Sequence, residues 1–152
     1  MLNQVDYITI ALEDLEDAID FQNRGRWNKC VRYCEQFVEK AFKQVIFAHE
    51  ETNELLLTKD KKMLYEHKVH KLAKRTEVIL NVEYSKEDLR RFRELENYYF
   101  NANYPGANYI AVQEETAAEV LNWTKNFAIR LCGQNIFEPT VSAKICEISQ
   151  II

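Results

Sequence analysis

Apolar side chains recur along this chain at three- and four-residue steps, the period of helices that each bury one face. Val5, Ile8, Leu12, Leu15 and Ile19 form a first stripe, which ends near Gly25. From Trp27 a wider stripe passes through Cys30, Val31, Cys34, Phe37, Val38, Ala41, Phe42 and Val45. Its width predicts a central helix covered on more than one side. A third helix is expected over about Met63 to Leu80, while Leu55 to Leu57 fit neither neighbouring stripe. Ser85 opens a fourth, because "SKED" has the pattern in which Ser85 and Asp88 satisfy each other's exposed amides, with Leu89, Phe92, Leu95 and Tyr99 as the inner stripe. A fifth runs from about Gln113 through Ala117, Val120, Leu121, Thr124, Ala128 and Leu131 to a stop at Gly133. A short last helix follows Pro139. Nothing alternates as a strand would and no segment repeats. The expectation is a single all-α domain over residues 1–152, an antiparallel up-and-down bundle of about five helices with a short C-terminal helix.

Composition narrows the class. A chain of 152 residues with 47% hydrophobic and 29% charged residues suits one soluble globular domain. No apolar run is long enough to cross a bilayer, and the N-terminus carries acids where a signal peptide would be basic, so the expected location is cytoplasmic. Cys30, Cys34, Cys132 and Cys146 read as reduced thiols. Cys30 and Cys34 lie one helical turn apart, but a zinc site would need two further ligands, so no metal and no cofactor are expected. The chain has no glycine-rich phosphate loop, no G-x-S-x-G and no H-E-x-x-H.

Two stretches carry candidate chemistry. "NYYFNANYPGANY", Asn97 to Tyr109, holds four of the eight tyrosines and four asparagines around Pro105-Gly106. The Pro-Gly corner is explained by turning the chain between the fourth and fifth helices. The aromatic residues Tyr98, Tyr99, Tyr104 and Tyr109 either cover the end of the bundle or present a binding surface. "KDKKMLYEHKVHKLAKR", Lys59 to Arg75, has seven Lys/Arg against two acids, +5 in a chain of net charge −4. At 100° per residue, Tyr65, Val69, Leu72, Thr76 and Ile79 share one sector and His67, His70, Lys71 and Lys74 the opposite one. That second sector is either a solvated face or a footprint for phosphate or nucleotide. In an antiparallel bundle the start of the third helix and the loop after the fourth share an end, so His67, His70, Lys71, Lys74, Tyr98, Tyr99, Asn103 and Tyr104 make one candidate ligand surface.

Three features together resemble the HEPN family (higher eukaryote and prokaryote nucleotide-binding domains). "WNKCVRYCEQFVEKAFKQVI" looks like the family's aromatic-led helix with E-x-x-x-EKxxK, matched by Glu35, Glu39, Lys40 and Lys43. His70-Lys71-Leu72 is similar to its H-x-L, and "YYFNANYPGANY" to its approach to Arg-Tyr-Pro. The resemblance spans about Tyr7 to Leu131. It implies a helical bundle that dimerises, works beside a minimal nucleotidyltransferase in toxin–antitoxin or defence-type systems, and in some branches cleaves RNA. Asn103 stands where the family has arginine, and no arginine precedes a histidine at the four-to-six-residue gap of the RNase branch; Lys62 and His67 are the nearest imitation. The resemblance therefore implies a non-catalytic nucleotide- or protein-binding homodimer with no catalytic residue. The alternatives are a metal-independent ribonuclease using His67 or His70 as general base, and a purely structural interaction module.

Overall fold

The computed structural model describes residues 6–52, 62–102, 105–106, 108–134 and 136–150. Among them are six helices and no strand: α1 (Tyr7–Asn23), α2 (Trp27–Thr52), α3 (Val69–Leu80), α4 (Lys86–Asn101), α5 (Glu114–Cys132) and α6 (Pro139–Ser149). No described helix is long and apolar enough to cross a membrane. The all-α antiparallel bundle and its short last helix are as the sequence pattern implies.

Local chemistry sets the helix ends. The Asp6 carboxylate accepts from Thr9 N–H (3.0 Å) at the start of α1. Gly25, at φ +68°, makes the turn into α2 in a region a side chain resists. Ser85 Oγ accepts from Asp88 N–H (3.1 Å), which is one half of the expected reciprocal pair. Asp88 instead spends its carboxylate on α5, taking Trp123 Nε1–H at 3.0 Å and both Arg130 Nη groups at 2.7 and 2.8 Å. Pro139 sits in the first turn of α6, where its missing N–H costs no hydrogen bond.

α2 is the axle of the bundle and packs against α1, α3, α4 and α5. Cys30, Val31, Cys34, Phe37, Val38, Ala41, Phe42 and Ile46 are wholly enclosed, so the wide stripe is covered within the chain. The core centres on an aromatic cluster. Phe42 lies 5.4 Å from Phe92, 5.8 Å from Phe127 and 6.0 Å from Tyr84, and Trp123 stacks on Phe127 at 5.0 Å. Ala117, Val120, Leu121, Thr124, Ala128 and Leu131 are all buried on α5, joined by Trp123 and Phe127. α6 closes the far side against α5 and α1 through Ile145 and Ile148.

The structure corrects two sequence expectations. The third helix is interrupted: residues 62–63 are helical, 64–65 form a turn and 66–68 have no regular structure, so α3 itself starts at Val69 and not near Met63. Glu66 accepts from His67 N–H through its own side chain (3.1 Å), a local bond that competes with helix. Tyr65 accordingly leaves the apolar sector and is exposed. On α4, Leu89 is exposed and Tyr99 only half-buried, while Phe92, Leu95 and Tyr98 face the core with Asp88 and Arg91. Asp88 turns inward to bond Trp123 and Arg130 on α5, and Arg91 pairs with Glu94 on α4 itself.

Among the described residues between Ala102 and Val112, Asn28 of α2 ties both flanks of the loop. Asn28 Nδ2 lies 3.1 Å from Ala102 O, 2.8 Å from Ile110 O and 3.0 Å from Tyr109 Oη, and its Oδ1 accepts from Val112 N–H (2.8 Å).

Phe42 touches three rings from three other segments, so Phe42→Ala will destabilise the bundle by about 3–5 kcal/mol, measured as a shift in the urea unfolding midpoint with an unchanged slope.

Candidate functional site

The middle of α2, the lead-in to α3 and the C-terminal half of α4 meet at a polar junction. α2 supplies Glu35, Glu39 and Lys43, at 0%, 3% and 5% exposure. These lie on successive turns of one face, and enclosure of α2 forces that face inside. Lys43 Nζ pairs with Glu39 Oε2 at 3.3 Å. Lys40, next to Glu39 in sequence, faces α1 and pairs with Asp14.

His67 lies in the irregular lead-in to α3, residues 66–68. Its Nδ1 is 3.2 Å from Glu39 Oε1, and half of its side chain is exposed. The imidazole stacks on Tyr99, with centroids 5.4 Å apart and planes 12° from parallel. Phe100 stands edge-on to Tyr99 at 4.9 Å and is itself exposed. One turn further, His70 Nδ1 meets Glu96 Oε1 at 2.7 Å, which fixes α3 to α4. Lys71 pairs with Glu66 at 3.5 Å, and Lys74 is exposed on the next turn.

The structure therefore brings together some of the sequence-predicted residues and separates others. His67, His70 and Tyr99 do gather where the start of α3 meets the end of α4. His67 and His70 do not share a helical face, because His67 precedes the helix, and His70 is half-buried against α4 rather than turned to solvent. Tyr98 points into the core, where burial, with Glu94 nearby, pushes its phenol up to about 12. It is a packing residue. Asn103 and Tyr104 lie outside the described residues. Carboxylates already meet three members of the expected face: Glu39 faces His67, Glu96 faces His70 and Glu66 pairs with Lys71. Among the described residues no three His, Cys, Asp or Glu side chains converge as ligands for a metal ion.

Sequence reasoning missed Glu96, which has the spacing of an ordinary helix-surface charge. Nothing in one sequence pairs it with His70.

Glu35 is the group least at ease. Its Oε1 has no hydrogen-bond partner among the described residues, while Oε2 accepts from Gln36 Nε2 at 2.6 Å. Burial, and next the neighbouring Glu39 carboxylate, push its acid well above the usual range despite Gln36 and Lys43. The folded state thus keeps a proton that an unfolded glutamate releases near pH ~4.3. Stability contributed by that proton is full below this value and is lost as the pH rises through the raised folded one. Glu35→Gln will flatten that decline and raise stability at neutral pH by about 1–3 kcal/mol, read from chemical unfolding across the pH range.

A bundle with one enclosed axial helix, a buried Glu/Lys face on it and a histidine–tyrosine junction at one end defines a compact all-α domain whose site lies between helices. The chain matches the family model of the HEPN domain over residues 5–132, and it belongs to that family. No curated protein and no solved structure matches it significantly. The matched span takes in α1 to α5; α6 lies beyond it.

Proposed function

We propose that this HEPN domain is a non-catalytic binding component of the cytoplasm, which takes a nucleotide, or an aromatic segment of a partner protein, at the junction of His67 and Tyr99. It works as a homodimer beside a minimal nucleotidyltransferase, in a toxin–antitoxin or defence-type system. The observation that carries the binding reading is the flat His67–Tyr99 stack, half-exposed and held from behind by Glu39. A planar base adds to such a platform with little reordering, and stacking on an aromatic ring is worth about 1–3 kcal/mol per base. Charge gives less support than the sequence suggested, since Lys71 and both histidines already have carboxylates. The nucleobase, more than the phosphate, is the recognised part. Exposed Tyr65, Phe100 and Tyr109 give the same end of the molecule apolar surface for a second copy or a partner chain.

The ribonuclease alternative has one observation in its favour. A carboxylate on Nδ1 of His67 orients the ring and favours the tautomer with its lone pair on Nε2, as a general base requires. Against it stands the missing arginine at the family's spacing before either histidine.

Calorimetric titration with nucleoside mono- and triphosphates at low salt tests the reading. Binding will weaken about tenfold in Tyr99→Ala and in His67→Ala. Lys71→Ala/Lys74→Ala will change it by no more than about twofold, because exposed charges contribute little after screening. Absence of binding by the parent removes the nucleotide reading. Cleavage of single-stranded RNA that is lost in His67→Ala would promote the ribonuclease instead.

A further inference from the structure

Two sulfurs meet where α6 is fastened to the rest of the bundle. Cys132 is the last residue of α5. Its thiol lies 3.9 Å from the Ser142 carbonyl oxygen on α6. Cys146 follows Ser142 by one helical turn, so both belong to the α6 face that meets the end of α5. The two thiols interact directly: burial pushes the Cys132 thiol up, the Ser142 contact opposes that, and Cys146, charge and hydrogen bond together, adds to the rise. Both cysteines are free and half-buried, and the neighbouring Ile145 and Ile148 are enclosed. Cys30 and Cys34 supply the comparison within the same chain. They too are free thiols, one turn apart on α2, but both are wholly enclosed, which shuts them off from any dissolved oxidant.

We propose that Cys132 and Cys146 are a redox-active dithiol, which a small disulfide of the glutathione class closes to a disulfide that staples α6 to α5. A protein disulfide needs two sulfurs brought to about 2.05 Å, and thiols already in contact across two packed helices reach that by side-chain rotation. The step is thiol–disulfide exchange. One thiol loses its proton, and its sulfur attacks oxidised glutathione, whose S–S bond breaks and expels one glutathione thiolate. The second cysteine, deprotonated in turn, attacks the protein sulfur of the mixed disulfide and expels the second thiolate. The two protons end on the two glutathione thiolates; the cysteine pair loses two electrons and glutathione gains them. Half-burial on both sides suits this sequence, since a tripeptide disulfide can reach a sulfur there and cannot reach α2. The bond turns the chain from 132 to 146 into a closed loop of about 15 residues and removes much of the freedom that α6 gains on leaving the bundle. In a reducing compartment such a bond is transient and reports oxidation.

The test equilibrates the full chain in mixtures of reduced and oxidised glutathione, traps remaining thiols by alkylation, isolates the monomer and maps its tryptic peptides by mass. The expected product joins the peptide Leu131–Lys144 to the one that begins at Ile145, with Cys30 and Cys34 alkylated only after denaturation. Amide hydrogen exchange in α6 of the oxidised protein will slow about 100-fold, the scale set by closing a loop of this length. Dithiothreitol will restore the starting rate, and Cys146→Ser will show neither the joined peptide nor the slowing. Separate glutathione adducts on Cys132 and Cys146 without a joined peptide, or a bridge to Cys30 or Cys34, overturn the dithiol. A joined peptide that leaves α6 exchange unchanged overturns the staple.

Discussion

The enclosure of α2 is the constraint from which the rest follows. A helix covered by α1, α3, α4 and α5 keeps only a narrow solvent strip through Arg32, Gln36, Lys40 and Gln44, so polar residues elsewhere on its middle turns must find partners inside the chain. Eight apolar residues meet this by packing. Glu39 and Lys43 meet it by pairing, and Glu35 meets it only in part, through its neighbour Gln36. Glu39 draws in His67 and so ties the irregular lead-in of α3 to the axle. Tyr99 then closes over the imidazole from α4. The candidate site is thus the place where the axle's buried charge reaches the surface.

A buried charged face of this kind is poor evidence for stability. Replacing such groups by apolar residues of similar shape is commonly neutral or stabilising, and Glu35, enclosed with one oxygen unpartnered, adds a clear penalty. Glu39, by contrast, holds the His67 ring. The same contrast separates the two halves of α4. Asp88 is well satisfied: burial opposes its ionisation, but the Arg130 and Trp123 hydrogen bonds outweigh that and hold it below the usual carboxylate range. Arg91, one turn on, is not satisfied: its Nε has no partner among the described residues.

The helices whose burial is dictated by a broad apolar stripe were legible in the sequence. α2 and α5 show this most clearly: every apolar position assigned to their inner faces is buried or half-buried, and Gly133 follows the last turn of α5 as expected. Legibility failed where a side chain competes with the backbone or crosses to another helix. Glu66 bonding to His67 N–H ends the helical register before Val69, which a periodicity argument cannot detect because the apolar spacing continues through the break. Asp88 occupies an inward position on α4 that polarity alone would place outside, and its partners Trp123 and Arg130 show why only after the fold is known. His70 and Glu96 are 26 residues apart, so their pairing is a property of the bundle and not of either helix.

The loop that carries the Pro-Gly corner takes its anchorage from far away in the chain. Among its described residues, the two flanks at Ala102 and at Ile110 to Val112 are gathered by the side-chain amide of Asn28, which accepts from or donates to groups 74 to 84 residues away, and Ile110 N–H also donates to Asn101 O at 2.8 Å. Ala102 and Val112 are themselves buried in the core. A polar residue in the first turn of α2 thus does for the loop what a cap does for a helix: it supplies the partners that the backbone of an irregular segment cannot find in its own neighbours, so the aromatic end of the molecule is placed by the axle and not by the two helices that the loop joins.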